Sequence, residues 1–214
     1  MNTSLNFASL LVTLLALGLL PFVAMVVTSY TKIVIVLGLL RNALGAQQVP
    51  PSTVTNGIAL ILSCFIMAPI GMTAFKGTND LAADGGANAV QVFDAAREPM
   101  RQFLSKHASE RDKAFFLRSA HEIWPAALAD KLGPDDLIVL GPAFMTSELT
   151  ASFKIGFLIY LMFIVVDLII ANVLIALGLS QVTPTNVSIP FKLLLFVVLD
   201  GWSVLLHGLI STYK

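Results

Sequence analysis

Cysteine and charge are both scarce in this sequence. It has one cysteine, Cys64, among 214 residues, so an internal disulfide is impossible. Only 12% of the residues are charged, against ~25% in an average soluble domain. Lys/Arg and Asp/Glu are balanced at 13 each, so no net field favours a nucleic-acid partner.

Motifs that carry catalysis or bind cofactors are missing too. The sequence has no Gly-rich phosphate loop, no HExxH, no CxxC and no nucleophile elbow. Its three histidines, at positions 107, 121 and 207, are too scattered to indicate a metal site. We therefore expect no enzyme, no cofactor and no metal.

The charges that are present lie mainly in one segment. Residues 76–136 hold 18 of the 26 charged residues, whereas residues 1–31 and 42–75 hold none. A membrane-spanning helix needs about 20 mostly apolar residues, and four stretches reach that length: 19–40, 54–75, 153–178 and 190–212. With a mean hydropathy of +0.85, the sequence predicts a membrane protein.

The predicted fold is an all-α membrane protein made of two long apolar helical hairpins and a small helical extracytoplasmic insert. The first hairpin covers residues 1–75, the insert 76–141 and the second hairpin 142–214. Gly, Asp and Asn in 76–89 predict a loop at the start of the insert. Ser109 with Asp112 predicts a capping box, and Thr146 or Ser147 is expected to cap the third long helix.

The turn of the first hairpin has a specific sequence signature. Gly45 predicts a left-handed helix end, and Pro50 and Pro51 cannot continue that helix. Basic residues flank both hairpin turns, and basic residues near short loops favour the cytoplasm. We therefore expect the turns in the cytoplasm, with the insert and both termini on the other side of the membrane.

Several charges fall inside the apolar stretches. A charge at the bilayer centre costs at least ~2.5 kcal/mol, so it needs a partner or water. Counted from the hairpin turns, Lys32, Asp167 and Asp200 lie at similar depth. We predict a charge network of these residues with Lys192, in which Lys32 pairs with Asp167 or Asp200, within one chain or between copies. The alternative is that each charge is satisfied separately.

Three long blocks carry a resemblance to a known family. They include LLRNALGAQQVPP at 39–51 and its surroundings (28–69), the apolar block 142–178, and SIPFKLLLFVVLDGW at 188–202. Together they resemble the SctR family of type III secretion export proteins, also called YscR or HrcR, whose flagellar relative is FliP. The likeness covers nearly the whole chain and is loosest over 76–136.

The resemblance implies a function and a set of partners. Such proteins assemble in several copies with SctS- and SctT-like proteins, beside SctU- and SctV-like export components. The assembly is an entry portal through which unfolded effector or needle proteins cross the inner membrane. The expected partners are thus further copies of this chain, these proteins, the exported substrates and membrane lipid.

The resemblance also implies a gate. Family members have a methionine-rich constriction after the third long helix, and the matching stretch here is Leu177, Gly178, Leu179, Ser180 and Gln181. The methionines are absent, so we expect Leu179 to supply an apolar ring that closes by dewetting. The alternative is an ordinary turn.

A second function belongs to a different class. Asp167, Asp200 and Lys32 would serve a proton- or ion-coupled transporter if they formed one intramembrane site. Transporters of that kind commonly contain inverted repeats, and the sequence shows no obvious repeat.

Overall fold

The computed structural model describes residues 7–45, 50–83, 89–179 and 181–214. All regular structure in these ranges is helical, as predicted. The helices are α1 (Phe7–Val27), α2 (Tyr30–Leu44), α3 (Ser52–Ala83), α4 (Ala89–His107), α5 (Glu110–Ile123), α6 (Ala126–Ala129), α7 (Leu137–Ala176), α8 (Pro184–Val198) and α9 (Gly201–Ser211).

The core is centred on α2, which packs against α3, α7 and α8. Ile33, Val36 and Leu37 of α2 lie in one buried cluster with Ala59 of α3 and Leu209 of α9. A second cluster continues along α2 to the turn of the first hairpin, and its members are Leu40, Ala43, Leu44, Phe163 and Phe196. α2 is thus a protein-covered helix at the centre of the fold.

The stretch 19–40 is not one helix, because the chain breaks at Thr28 and Ser29. The buried Ser29 hydroxyl donates to the Ser63 hydroxyl of α3 at 3.1 Å, and Ser63 donates to Thr28 at 3.4 Å. The Thr31 hydroxyl donates back to the carbonyl of Met25 at 2.7 Å. These hydroxyls satisfy polar groups at the break, which lets the chain change direction inside an apolar region.

The insert is more helical than the sequence suggests. The loop expected over 76–89 is wrong up to Ala83, because α3 continues to that residue. Gly77 lies against Ala95 of α4, where an added Cβ would be 3.6 Å from the Ala95 Cβ. Tertiary packing therefore overrides the local turn propensity of this segment. The predicted cap of α5 is confirmed, since the Ser109 hydroxyl accepts the Asp112 N–H at 3.1 Å.

The third long helix begins earlier than expected. α7 starts at Leu137, so Thr146 and Ser147 lie inside it and the cap predicted there is wrong. The Ser147 hydroxyl instead donates to the Asp112 carboxylate at 2.5 Å and to the Ala143 carbonyl at 2.8 Å. The first turns of α7 are covered by α4 and α5 around Phe103, Leu140 and Phe144, which places an apolar core under the insert.

Among the described residues, two helices are long and apolar enough to cross a membrane. They are the Ser52–Leu81 part of α3 and the whole of α7, whose most apolar 18-residue windows have mean hydropathies of 2.2 and 2.7. The expected fourth helix, 190–212, is broken instead, because α8 and α9 meet at an angle of 64°. α8 and α9 are long and apolar enough to cross a membrane only when they are counted together, as one bent span.

Candidate functional site

The predicted gate residues lie at the tip of the second hairpin. α7 ends in a glycine-dependent motif: Gly178 has φ 72°, and the N–H groups of Gly178 and Leu179 donate to the carbonyls of Ile175 and Leu174. The side chains of Leu177 and Leu179 are 66% and 46% exposed, and Gln181 is exposed. Ser180 lies outside the described residues. The tip therefore presents two leucines to whatever surrounds the chain.

The turn of the first hairpin has the predicted start and end. Gly45 ends α2 with φ 75°, its N–H donating to the Asn42 carbonyl at 3.1 Å. Pro50 and Pro51 precede α3, and the Pro51 carbonyl accepts the N–H groups of residues 54 and 55. Residues 46–49 between them lie outside the described part of the chain.

The Lys32 side chain is buried in an ion pair with Glu148. The Lys32 Nζ lies 2.9 Å from the Glu148 Oε1, and the two side chains are only 5% and 2% exposed. The Tyr213 hydroxyl donates to the second carboxylate oxygen of Glu148, and the Lys32 Nζ lies 4.1 Å from the centre of the Tyr213 ring. The Lys32 Nζ also donates to the Thr212 hydroxyl at 3.4 Å. Within one chain, the predicted pairing of Lys32 with Asp167 or Asp200 is wrong.

Lys192 and Asp167 form a second, separate pair. The Lys192 Nζ lies 2.7 Å from the Asp167 Oδ2 and donates to the Ala43 carbonyl at 3.1 Å, so it joins α8 to α7 and to the end of α2. The Lys192 side chain is 4% exposed and that of Asp167 is 40% exposed. The lysine is closed off from solvent, whereas the aspartate side chain is partly exposed, although its Oδ1 oxygen is buried without a hydrogen-bond partner among the described residues.

Asp200 stands apart from both pairs. It is exposed, lies between α8 and α9, and has φ 50°, the one positive φ of a non-glycine residue among the described positions. It makes no ion pair with any residue that the structure describes. The four predicted network residues therefore occupy three places rather than one, and Asp200 marks a bend in the backbone.

Sequence reasoning missed Glu148 and Tyr213. We placed the start of the third span at 153, which left Glu148 outside it. A signal was present, because Glu148 is the single charged residue between 137 and 153, and a lone charge in an apolar helix needs a partner. Tyr213 gave no comparable signal, since its contacts depend on where the chain ends up after α9.

Large apolar side chains remain exposed along α7, α8 and the Ser52–Leu81 part of α3. On α7 they are Ile138 and a stretch from Phe153 to Ile175 that includes Phe157, Leu158 and Leu168. Exposed apolar patches of this extent indicate contact with lipid or with other proteins. The fold and these sites define an all-helical membrane protein that pairs Lys32 with Glu148 and Lys192 with Asp167, and whose longest helices carry large exposed apolar surfaces.

Comparison with known proteins identifies the family. The FliP family matches residues 11–209. The chain is 65% identical over 215 residues to hypersensitivity response secretion protein HrcR of Ralstonia nicotianae, covering 99% of each chain. It is 45% identical to Yop proteins translocation protein R of Yersinia pestis (96% and 95% covered) and 40% identical to virulence protein YscR of Salmonella typhimurium (94% of each).

The chain therefore belongs to the FliP family, in its SctR branch of type III secretion proteins. The resemblance seen in the sequence is confirmed. Family membership and the two apolar helices favour an inner-membrane location.

Proposed function

We propose that this chain is a core subunit of a type III secretion export gate. In this proposal, several copies combine with SctS- and SctT-like proteins into an inner-membrane entry portal for unfolded effector or needle proteins. The relatives' names refer to secretion and translocation, which supports the class of process. The portal itself is supported by the shape and surface of α7.

The length of α7 is the observation that carries the proposal. Its 40 residues extend about 60 Å at 1.5 Å per residue, roughly twice the ~30 Å hydrocarbon core of a bilayer. Its large exposed apolar side chains are concentrated between Phe153 and Ile175, with Ile138 apart from them. The first turns are covered by the insert, so α7 extends from the insert, through an exposed apolar stretch of about 35 Å, to the hairpin tip. A helix of this kind supports a subunit that connects the two sides of a membrane.

The hairpin tip supplies the candidate gate. Several copies converging at Leu177 and Leu179 would form a narrow apolar ring, and such rings close to ions by expelling water. Leucine is less deformable than methionine, so this ring would be stiffer than a methionine-rich one. The Gly178 turn fixes the two leucines on a defined backbone, which is what a constriction of constant size requires.

Orientation follows from the charges near the hairpin turns. Arg41 lies in the last turn of α2, and the opposite side of the fold carries the insert, with an excess of acids over bases in 76–136. With the turns in the cytoplasm, the insert (about 76–141) faces the periplasm.

The transporter alternative gains no support from the arrangement of charges. Lys32 is closed off by Glu148, Asp167 is engaged by Lys192, and Asp200 lies at the α8–α9 bend. A coupled transporter would need its ionisable groups to share a site that water and ions can reach.

Site-specific photocrosslinking tests the portal. A photoreactive amino acid is placed singly at Leu177, Leu179 or Gln181 in cells whose secretion substrate is fused to a domain that stalls in transit. We expect ultraviolet light to join the stalled substrate to at least the two leucine positions. The same amino acid at Arg118, an exposed position of α5, is the matched control and should give no substrate adduct.

One crosslinking result would overturn the gate proposal. If all three tip positions crosslink to membrane subunits but none to the stalled substrate, the tip is a subunit contact and not a pore lining. The partner proposal is tested separately by purification in mild detergent. Recovery of this chain alone, without other copies or small membrane proteins, would contradict it.

A further inference from the structure

The junction of α8 and α9 has the features of a hinge held in its bent form. Asp200 adopts a left-handed backbone (φ 50°, ψ 43°) without a hydrogen bond from its side chain to the end of α9. For a residue with a Cβ this conformation is strained and persists only when the surroundings enforce it. A Cβ at Gly201 would lie 2.4 Å from the ring of Phe196, so the bent form also brings the two helices into close contact.

The other end of α9 is tied down by Tyr213. Its hydroxyl donates to Glu148 of α7, and its ring lies beside the Lys32 Nζ of α2. The ring also contacts the insert, stacking on Phe103 at 6.0 Å and meeting the edge of His107 at 5.1 Å between ring centres. Residues 212–214, which we call the Tyr213 strap, thus join α9 to α2, α4 and α7.

The two observations complement each other. The strained backbone at Asp200 favours a different angle between α8 and α9. The contacts of Tyr213, after the far end of α9, oppose that change. Neither α8 nor α9 alone is long enough to cross a bilayer, with 15 and 11 residues. Joined straight, residues 184–211 would extend about 42 Å, which exceeds the ~30 Å hydrocarbon core.

We propose that the Tyr213 strap keeps α9 bent away from the axis of α8, and that releasing the strap lets the two helices align into one straight helix. The strap then holds the second hairpin against the insert in one conformation. It is held in place by its contacts with the buried Lys32–Glu148 pair. This inference does not depend on the portal function, because it concerns the shape of the second hairpin in any assembly.

A distance measurement tests the lock. Nitroxide labels are attached at Asn186→Cys and Ser211→Cys, both exposed positions, in a Cys64→Ser background because Cys64 is exposed and would also react. The chain that carries both introduced cysteines is co-expressed with excess Cys64→Ser chain, purified in mild detergent with its bound partners, and then labelled. Dilution ensures that the spin–spin distance is measured within one copy.

The expected change is a longer distance when the strap is removed. With helix rises of 1.5 Å per residue, straightening a 64° bend lengthens this separation by about 6 Å. We expect Tyr213→Ala to shift the main distance by this amount. Tyr213→Phe, which keeps the ring and loses the hydroxyl, should give a mixture of both distances. Gly201→Ala should also lengthen it, because its Cβ clashes with Phe196 only in the bent form.

One control variant and one alternative variant complete the test. Tyr160→Phe changes an exposed tyrosine of α7 and should leave the distance unchanged. If Tyr213→Ala fails to give folded protein, as judged by elution and helical circular dichroism, Tyr213→Phe decides the question. An unchanged single distance in the folded Ala variant, or in the Phe variant when Ala cannot be purified, overturns the proposal.

Discussion

The insert and the hairpins use charge in opposite ways. The insert has many charges, and apart from the buried Lys113 its described ion pairs are largely exposed: Arg101 and Glu98, 2.8 Å apart, have side chains about 40% exposed. The hairpins have few charges, and their Lys32–Glu148 ion pair is almost fully buried. Exposed pairs are screened and contribute little, whereas a buried charge left without its partner is strongly destabilising. The rarer charges are therefore the ones that constrain the structure.

The largest effect is expected from breaking the Lys32–Glu148 pair. Lys32→Met leaves the Glu148 carboxylate buried with only the Tyr213 hydroxyl, which should lower the free energy of unfolding by about 3–5 kcal/mol. Thermal unfolding of the detergent-purified protein, followed by circular dichroism, measures the loss. The double variant Lys32→Met, Glu148→Leu should recover much of it, because neither charge remains. A double variant less stable than either single one would refute this account.

The second pair should be less sensitive, since one of its partners is open. Lys192→Met leaves Asp167, whose side chain is 40% exposed, and water can replace the lysine there. We expect a loss of about 1–3 kcal/mol, typical of an unsatisfied polar group, measured by the same unfolding experiment. If Lys192→Met proves as damaging as Lys32→Met, burial of the remaining carboxylate is not what separates the two pairs.

His107 links the insert to the buried pair through pH. Burial, together with the nearby charges of Lys32 and Lys106, lowers the pKa of His107 from 6.5 to about 4. The unfolded chain binds this proton near pH 6.5 and the folded chain only near pH 4, so stability should fall as pH decreases between these values. The melting temperature at pH 7 and pH 4.5 measures the difference.

The matched control for this pH effect is His107→Phe, which keeps a ring beside Phe103. The decrease in melting temperature between pH 7 and pH 4.5 should be smaller in this variant than in the unchanged protein. Equal decreases in both proteins would assign the pH dependence to other groups.

The smallest effect on stability is expected for Glu98, which belongs to an exposed ion pair of the insert. The hydrogen bonds from Arg101 and Gln102 lower the pKa of Glu98 to about 2, yet the Glu98 side chain is 41% exposed, so water can solvate it without these partners. Glu98→Gln should leave the melting temperature within experimental error at neutral pH. A change comparable to that of Lys192→Met would show that the insert depends on its surface charges after all.

Local signals predicted the parts of the fold that depend on neighbouring residues. The Gly45 helix end, the Ser109 cap and the helical class follow from chemistry within a few positions. The position of the closest helix contact was harder to locate from the sequence. An added Cβ at Gly38 of α2 or at Gly57 of α3 would meet nothing within 4 Å. The close approach is at Gly156, where a Cβ would lie 2.2 Å from Leu39.

For the candidate site, the sequence identified the charged residues but not their partners. Depth along each helix placed Lys32, Asp167 and Asp200 together, on the assumption that both hairpin turns lie level. In the structure Asp167 pairs with Lys192 instead, and Asp200 lies at the 64° bend between α8 and α9, apart from both pairs. The gate residues were located by family resemblance, and their role remains a prediction that the crosslinking experiment addresses.

By itself, the amino-acid sequence determined that this protein is helical and belongs in a membrane, because too few charges are distributed too unevenly to make a soluble surface. It also determined which segment is polar and where several helices begin and end. Only the tertiary structure decided that Lys32 meets Glu148, 116 positions away, and that Tyr213 closes over both. Such pairings follow from how helices pack, and packing depends on contacts between residues far apart in the chain.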